Sequence, residues 1–186
     1  MMKLLRLIFL ALLLHTAAFG QSRYMTHSGR ISFYSAAPLE DIEAKSEKAG
    51  GIIDLGTGQL AFNVPMKSFV FPNGLMQEHF NENYVESDRY PKSTFVGKVL
   101  GLNTNALQAG GPQPVQAEGD LTIHGVTHRV RVPGTLELRS NGLQLNAKFN
   151  VAPADYNIVI PRLVRDHIAK SVGVTVNMLC PPVPQP

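Results

Sequence analysis

The residues that could do polar chemistry gather between positions 78 and 88, where Glu78, His79, Glu82, Glu86 and Asp88 fall within eleven residues. Carboxylates and an imidazole are the side chains of general acid–base catalysis and of metal ligation. Either role needs at least three of them to converge on one point. The spacing does not supply that: a zinc-protease helix places a second His four residues after the first, and here Asn83 stands at that position. His124, His128 and His167 lie far off in sequence. His124 precedes Gly125 at a chain reversal, where hydrogen bonding to backbone is the expected role. Asn81, Glu82, Asn83, Ser87, Asp88 and Arg89 are expected to cap a helix and pin the chain into Pro91. No Ser-His-Asp set, nucleotide-binding loop or paired-carboxylate motif is present. The expectation is therefore no catalytic residue, no metal site and no cofactor.

A second group of residues suggests binding instead. The chain has nine Phe and no Trp. Phe33, Phe62, Met66, Phe69, Met76, Phe80, Phe95, Leu145 and Phe149 are the candidate ligand contacts, with Phe71 among them. Rings with thioethers can line a tunnel for a slender apolar molecule, because Met adapts to irregular shapes. The same residues can equally fill an ordinary core. On composition alone the ordinary core is the favoured reading, because every barrel needs apolar inward positions.

The elements that must position these residues read as β. Leu60, Phe62, Val64 and Met66 alternate with Ala61, Asn63 and Pro65. Leu143, Leu145, Ala147, Phe149 and Val151 alternate with polar neighbours. So do Val126, His128, Val130 and Val132, and so do Val172, Val174, Val176 and Met178. Period-two alternation gives each strand one buried and one wet face. Gly50-Gly51, Gly56-Thr-Gly58, Gly110-Gly-Pro112, His124-Gly125 and Ser140-Asn-Gly142 separate the runs. Many short amphipathic strands at such spacing define an antiparallel sandwich or barrel. A short helix is predicted over residues 73–85, with Leu75, Met76, His79, Phe80 and Asn83 on one face. Residues 38–50 carry helix chemistry: Pro38 near the start, acids first, Gly after Lys48. Ile42 and Ala44 between charged neighbours suit a strand as well, although the pattern alone favours a helix. Residues 103–114 read as a surface loop, and the prolines from 181 to 186 as a loose tail.

The ends and the charge bound the setting. Residues 1–20 pair Lys3 and Arg6 with the apolar run 7–14 and close on Ala18-Phe-Gly20, the make-up of a cleaved export signal. The run is too short to span a bilayer. Cleavage after Gly20 would leave Gln21 first and residues 21–180 as one exported domain, periplasmic or secreted. The net charge of +3 includes Lys3 and Arg6. The remainder is near neutral, has no basic block and offers nucleic acid no electrostatic footing. Cys180 is the only cysteine, which excludes an internal disulfide. Its place at the end of an apolar strand points to a buried thiol.

Two stretches resemble a known family. Phe80-Asn-Glu-Asn-Tyr-Val-Glu-Ser-Asp-Arg-Tyr-Pro-Lys-Ser-Thr-Phe95 resembles an acidic helix end, a Tyr-Pro and the start of a Thr-Phe strand. Gly119-Asp-Leu-Thr-Ile-His-Gly-Val-Thr-His128 resembles a Leu-Thr-x-His-Gly-Val-Thr hairpin. Both are similar to the YceI-like proteins, exported lipocalin-like barrels that bind polyisoprenoids. The resemblance spans residues 31–178. It implies an eight-stranded antiparallel barrel around an elongated apolar cavity, with residues 41–47 extended rather than helical, and the extended form is adopted here. It further implies an isoprenoid lipid or isoprenoid quinone as ligand and transient contact with a membrane. Residues 67–79 depart from the family pattern, which carries an Asp-Thr-Gly turn followed by Arg-Asp and His-Leu. A barrel without a cavity, serving structure or interaction in the envelope, is the alternative; a metal-dependent enzyme built around His79 is the third reading.

Overall fold

The structure is a computed structural model and describes residues 22–184. The expected export signal and the last two residues lie outside the described part. Eight strands are joined in sequence order: β1 (Arg23–Ala36), β2 (Asp41–Asp54), β3 (Gln59–Pro65), β4 (Lys92–Leu100), β5 (Gln113–Ile123), β6 (Val126–Arg139), β7 (Gly142–Val151) and β8 (Val172–Cys180). Each pairs antiparallel with the next, and β8 returns to β1 to close a barrel. Closure leaves no unpaired edge.

Residues 41–47 are extended. Ile42, Ala44 and Ser46 turn inward while Glu43, Lys45 and Glu47 are exposed, a period of two. Pairing of Asp41–Ser46 with β1, and a bridge from Lys45 to Val70 on the other side, outweighs the helix-like ends of the segment. The β1–β2 register shifts on either side of Gly29, a bulge that bends both strands. An added Cβ at Gly29 would lie 2.7 Å from Met178 Cγ, so the bare backbone there admits the Met178 side chain.

The barrel's two ends differ. At the end holding the short β2–β3 and β6–β7 turns, Ile53, Leu136, Leu143, Met178 and Cys180 are fully buried. The segment expected as a loop at 103–114 instead contains helix α2 (Thr104–Gln108), capped where Asn103 Oδ1 accepts the Ala106 N–H at 3.0 Å. Its Leu107 is buried and helps to seal this end. The tail expected to be loose from residue 181 is held as far as Val183: Met25 N–H donates to the Pro181 carbonyl and Val183 N–H to that of Arg23, both at 2.9 Å.

The opposite end carries the long connections 66–91 and 152–171. In the first, helix α1 (Gly74–His79) begins at Asn73, whose Oδ1 accepts from Leu75 N–H at 2.9 Å, and runs into one π turn, Phe80–Tyr84. Its bounds match the predicted helix closely, but of the expected face only Met76 and Phe80 are half-buried, while Leu75, His79 and Asn83 are exposed. Here too the β5–β6 hairpin closes through His124 (φ 50°) and Gly125 (φ 74°), a two-residue turn that needs positive φ at both positions. The buried face expected along 126–132 is only partly realised. Val132 is buried, Val126 and Val130 are half-buried, and His128 is exposed with Nε2 2.8 Å from the Asp155 carbonyl oxygen. Residues 126–132 pair with β5 alone, because β7 joins β6 only from Gly134 onward.

A candidate lipid-binding lumen

Inward side chains do not fill the barrel. They enclose an elongated cavity of about 450 Å³, walled by all eight strands, α1 and connection 152–171. Its floor is the packed end, where Leu60, Val99, Leu136 and Met178 are buried. At the other end half-buried Ile158, Ile160, Val164, His167 and Ile168 of connection 152–171 frame the mouth with Glu40 and His79.

All nine sequence candidates line this space: Phe33, Phe62, Met66, Phe69, Met76, Phe80, Phe95, Leu145 and Phe149. Phe69 and Phe71 sit outside the regular strands, in connection 66–91. They are aimed by a bridge between Val70 and Lys45, whose N–H and C=O groups exchange hydrogen bonds at 2.8 and 3.2 Å. Val70 therefore faces out and its two neighbours face in. Phe33, Phe69, Phe71 and Phe80 form one cluster with ring centroids 5.0–5.8 Å apart. Such pairs add about 0.5–1.5 kcal/mol each beyond area burial, so the rings brace α1 over the barrel.

Two glycines account for part of the hollow. Gly51 and Phe62 are cross-strand partners, and a Cβ at Gly51 would lie 1.9 Å from the Phe62 ring. A Cβ at Gly119 would lie 2.9 Å from Phe95 Cζ and 2.4 Å from the Val96 carbonyl oxygen. Each ring lies against bare backbone. Rings laid along the wall occupy less of the lumen than rings pointing across it.

Polar groups are few in the wall and mostly engaged. Ser93 Oγ meets Met66 Sδ at 3.0 Å. At the mouth His167 Nδ1 lies 3.3 Å from Glu40 Oε2, and Ala169 N–H donates to Ser35 Oγ at 2.8 Å, tying connection 152–171 to the β1–β2 turn. Burial raises the Tyr84 phenol above its ordinary pKa. His124 does bond backbone, as expected, but across the molecule: Nδ1 is 3.0 Å from the Tyr156 carbonyl oxygen, Nε2 is 2.8 Å from Glu86 Oε2, and the Tyr90 ring packs on it at 4.5 Å. Asn81 Nδ2 donates to the Gln77 carbonyl at 2.8 Å, the local role expected of it. The acids and His79 of residues 78–88 do not converge. Among the described residues no group of three or more His, Cys, Asp or Glu is placed to hold a metal ion.

Phe71, named with the candidates, lines the lumen too; the residue-by-residue reading missed the Tyr84 wall position and the isoleucines of connection 152–171. Ile158 and Ile160 alternate with exposed Val159. That short period-two signal is present in the sequence, but it is too brief to stand out beside the strands.

A closed eight-stranded antiparallel barrel with an apolar lumen defines a lipocalin-like hollow barrel. Residues 19–179 match the YceI-like domain, and the chain belongs to that family. Its fold is similar to that of a polyisoprenoid-binding domain from Saccharophagus degradans implicated in plant cell wall breakdown, with a TM-score of 0.74 at 14% identity over 88% of this chain and 100% of that one. It is also similar to Burkholderia cenocepacia BcnA, with a TM-score of 0.67 at 18% identity over 80% and 94% of the two chains. A Campylobacter jejuni YCEI protein aligns with a TM-score of 0.54 at 14% identity over 73% and 83%. At these identities the likeness is one of fold. No curated relative matches the sequence.

Proposed function

We propose that this protein binds a long apolar molecule in the barrel lumen, an isoprenoid lipid or an isoprenoid quinone, and carries it shielded from water. The lumen is the observation that supports this reading. At about 450 Å³ it has room for about fifteen waters, yet its wall offers them few hydrogen-bonding partners. Water held there, against a wall that cannot bond it, is unfavourable. An apolar occupant removes that penalty, and each methylene it buries contributes about 0.8 kcal/mol. The barrel without a cavity, considered above as an alternative, does not fit such a lumen. The similar Saccharophagus domain is polyisoprenoid-binding, which favours a prenyl chain over a straight one.

The lumen wall supplies binding groups rather than reacting ones, which favours a carrier over an enzyme. Export is supported by the charged and apolar make-up of residues 1–20, and the intact mass of the recovered protein would read the cleavage point directly. The test of the ligand is an organic extract of protein purified without added lipid, analysed by mass spectrometry. The expected result is a prenyl-chain molecule near one per barrel. An extract free of any long apolar molecule would contradict the proposal.

A further inference from the structure

We infer that the barrel docks mouth-first on an anionic membrane surface, through the tip formed by residues 159–165. This rests on the reading of the lumen as a lipid site, and it adds where the lipid enters and leaves. The tip is apolar where apolar residues should not stand free. Leu163 is 95% exposed and Val159 78% exposed. Leu39, 67% exposed on the β1–β2 turn, joins them: its N–H donates to the Asp166 carbonyl at 3.0 Å. Single exposed apolar residues are ordinary, but each of these three is a chain neighbour of a residue that lines the lumen: Glu40, Ile158, Ile160 or Val164.

The charge of the tip selects the partner. Arg162 and Arg165 flank Leu163, and residues 159–165 hold no acid; Asp166 follows, and Lys170 lies beyond it. Among the described residues neither arginine forms an ion pair or a side-chain hydrogen bond. Two free guanidinium groups beside an exposed leucine match the boundary of an anionic bilayer, with phosphates for the cations and acyl chains for the leucine.

The tip is also continuous with the lumen. Ile158, Ile160 and Val164 face the mouth while Val159, Arg162, Leu163 and Arg165 face out. One strip of chain thus presents its inner side to the bound tail and its outer side to the bilayer. A tail moving between the two would never cross open water.

The test is co-sedimentation of the full chain with vesicles of phosphatidylcholine alone, or with about one third phosphatidylglycerol. Wild type, Leu163→Asp and the double variant Arg162→Gln/Arg165→Gln are compared, so that any contribution of residues 1–20 is common to all three. Wild type is expected to sediment with the anionic vesicles. Each variant should bind about tenfold more weakly or less, with an unchanged melting temperature, since these side chains are exposed. Raising salt until the Debye length is about 3 Å should weaken wild-type binding and change the arginine variant little. Failure of wild type to sediment with anionic vesicles, equal sedimentation of all three proteins, or capture by an acidic protein without vesicle binding would overturn the assignment. Docking that persists when the organic extract holds no lipid would retain this surface and refute the lumen reading alone.

Discussion

The two ends of the barrel are built from the same strands yet are filled differently. At the packed end, branched and unbranched aliphatic side chains (Ile53, Leu107, Leu136, Leu143, Met178) meet across the axis and are fully buried. At the hollow end the wall is aromatic, and Phe62 and Phe95 lie against Gly51 and Gly119 instead of reaching inward. The difference teaches that apolar content does not decide whether a barrel is solid. What decides is where a side chain can lie, and a glycine across the strand pair gives a ring a place on the wall.

The harshest way to break that wall is Gly119→Val. Gly119 faces Gly97 across β4 and β5, and the new Cβ would sit 2.4 Å from the Val96 carbonyl oxygen and 2.6 Å from Gly97 Cα. Backbone cannot swing aside as a side chain can. The loss should exceed about 4 kcal/mol and show as failure to recover a folded barrel. A variant that folds with wild-type stability would remove the close wall contact from the account.

Leu143 and Leu145 sharpen the comparison on one strand. Both are buried, but Leu145 lines the lumen while Leu143 belongs to the packed end. Leu143→Ala should cost about 3 kcal/mol in urea unfolding, because it opens a new cavity in close-packed core. Leu145→Ala only widens an existing one and should cost about half as much or less. Equal costs would mean that the two ends are packed alike.

Cys180 probes the packed end by pH. Burial pushes its thiol from 9.0 up to about 11. Below pH 9 both folded and unfolded chains hold the proton. Between pH 9 and about 11 the unfolded chain releases it and the folded chain does not, so stability falls as pH rises. The fall should total roughly 2–3 kcal/mol and this component should be absent from the pH–stability curve of Cys180→Ala. Native protein should also resist alkylation at pH 8. Rapid native-state labelling would show that this end is open.

Much of the fold was legible because alternation is local. β3, β7 and β8 are readable from period-two runs, and α1 with its π turn falls inside the predicted helix. β2 is different. Its Pro38, leading acids and Gly50 signal a helix, and only tertiary pairing with β1 and Val70 makes it extended, the form the family resemblance implied. α2 was hidden because a single turn around Asn103 and Leu107 carries no periodicity. The candidate wall residues are aromatic or long apolar side chains on recognisable elements, so their positions could be named in advance. Whether they surround a space could not, since that depends on Gly51 meeting Phe62 and Gly119 meeting Phe95 across strands.

The central claim is that the lumen is a place for a ligand rather than a packing defect, and native mass spectrometry of wild type beside Ala147→Phe tests it most directly. Ala147 lines the lumen opposite Gly134, whose bare backbone leaves a ring room to lie. Wild type purified without added lipid should carry one long apolar molecule per barrel. Ala147→Phe should fold with equal or slightly higher stability and carry about a tenth as much or less, the introduced ring standing in for the ligand. A wild-type barrel of bare polypeptide mass, or a variant that retains the full adduct, would contradict the account.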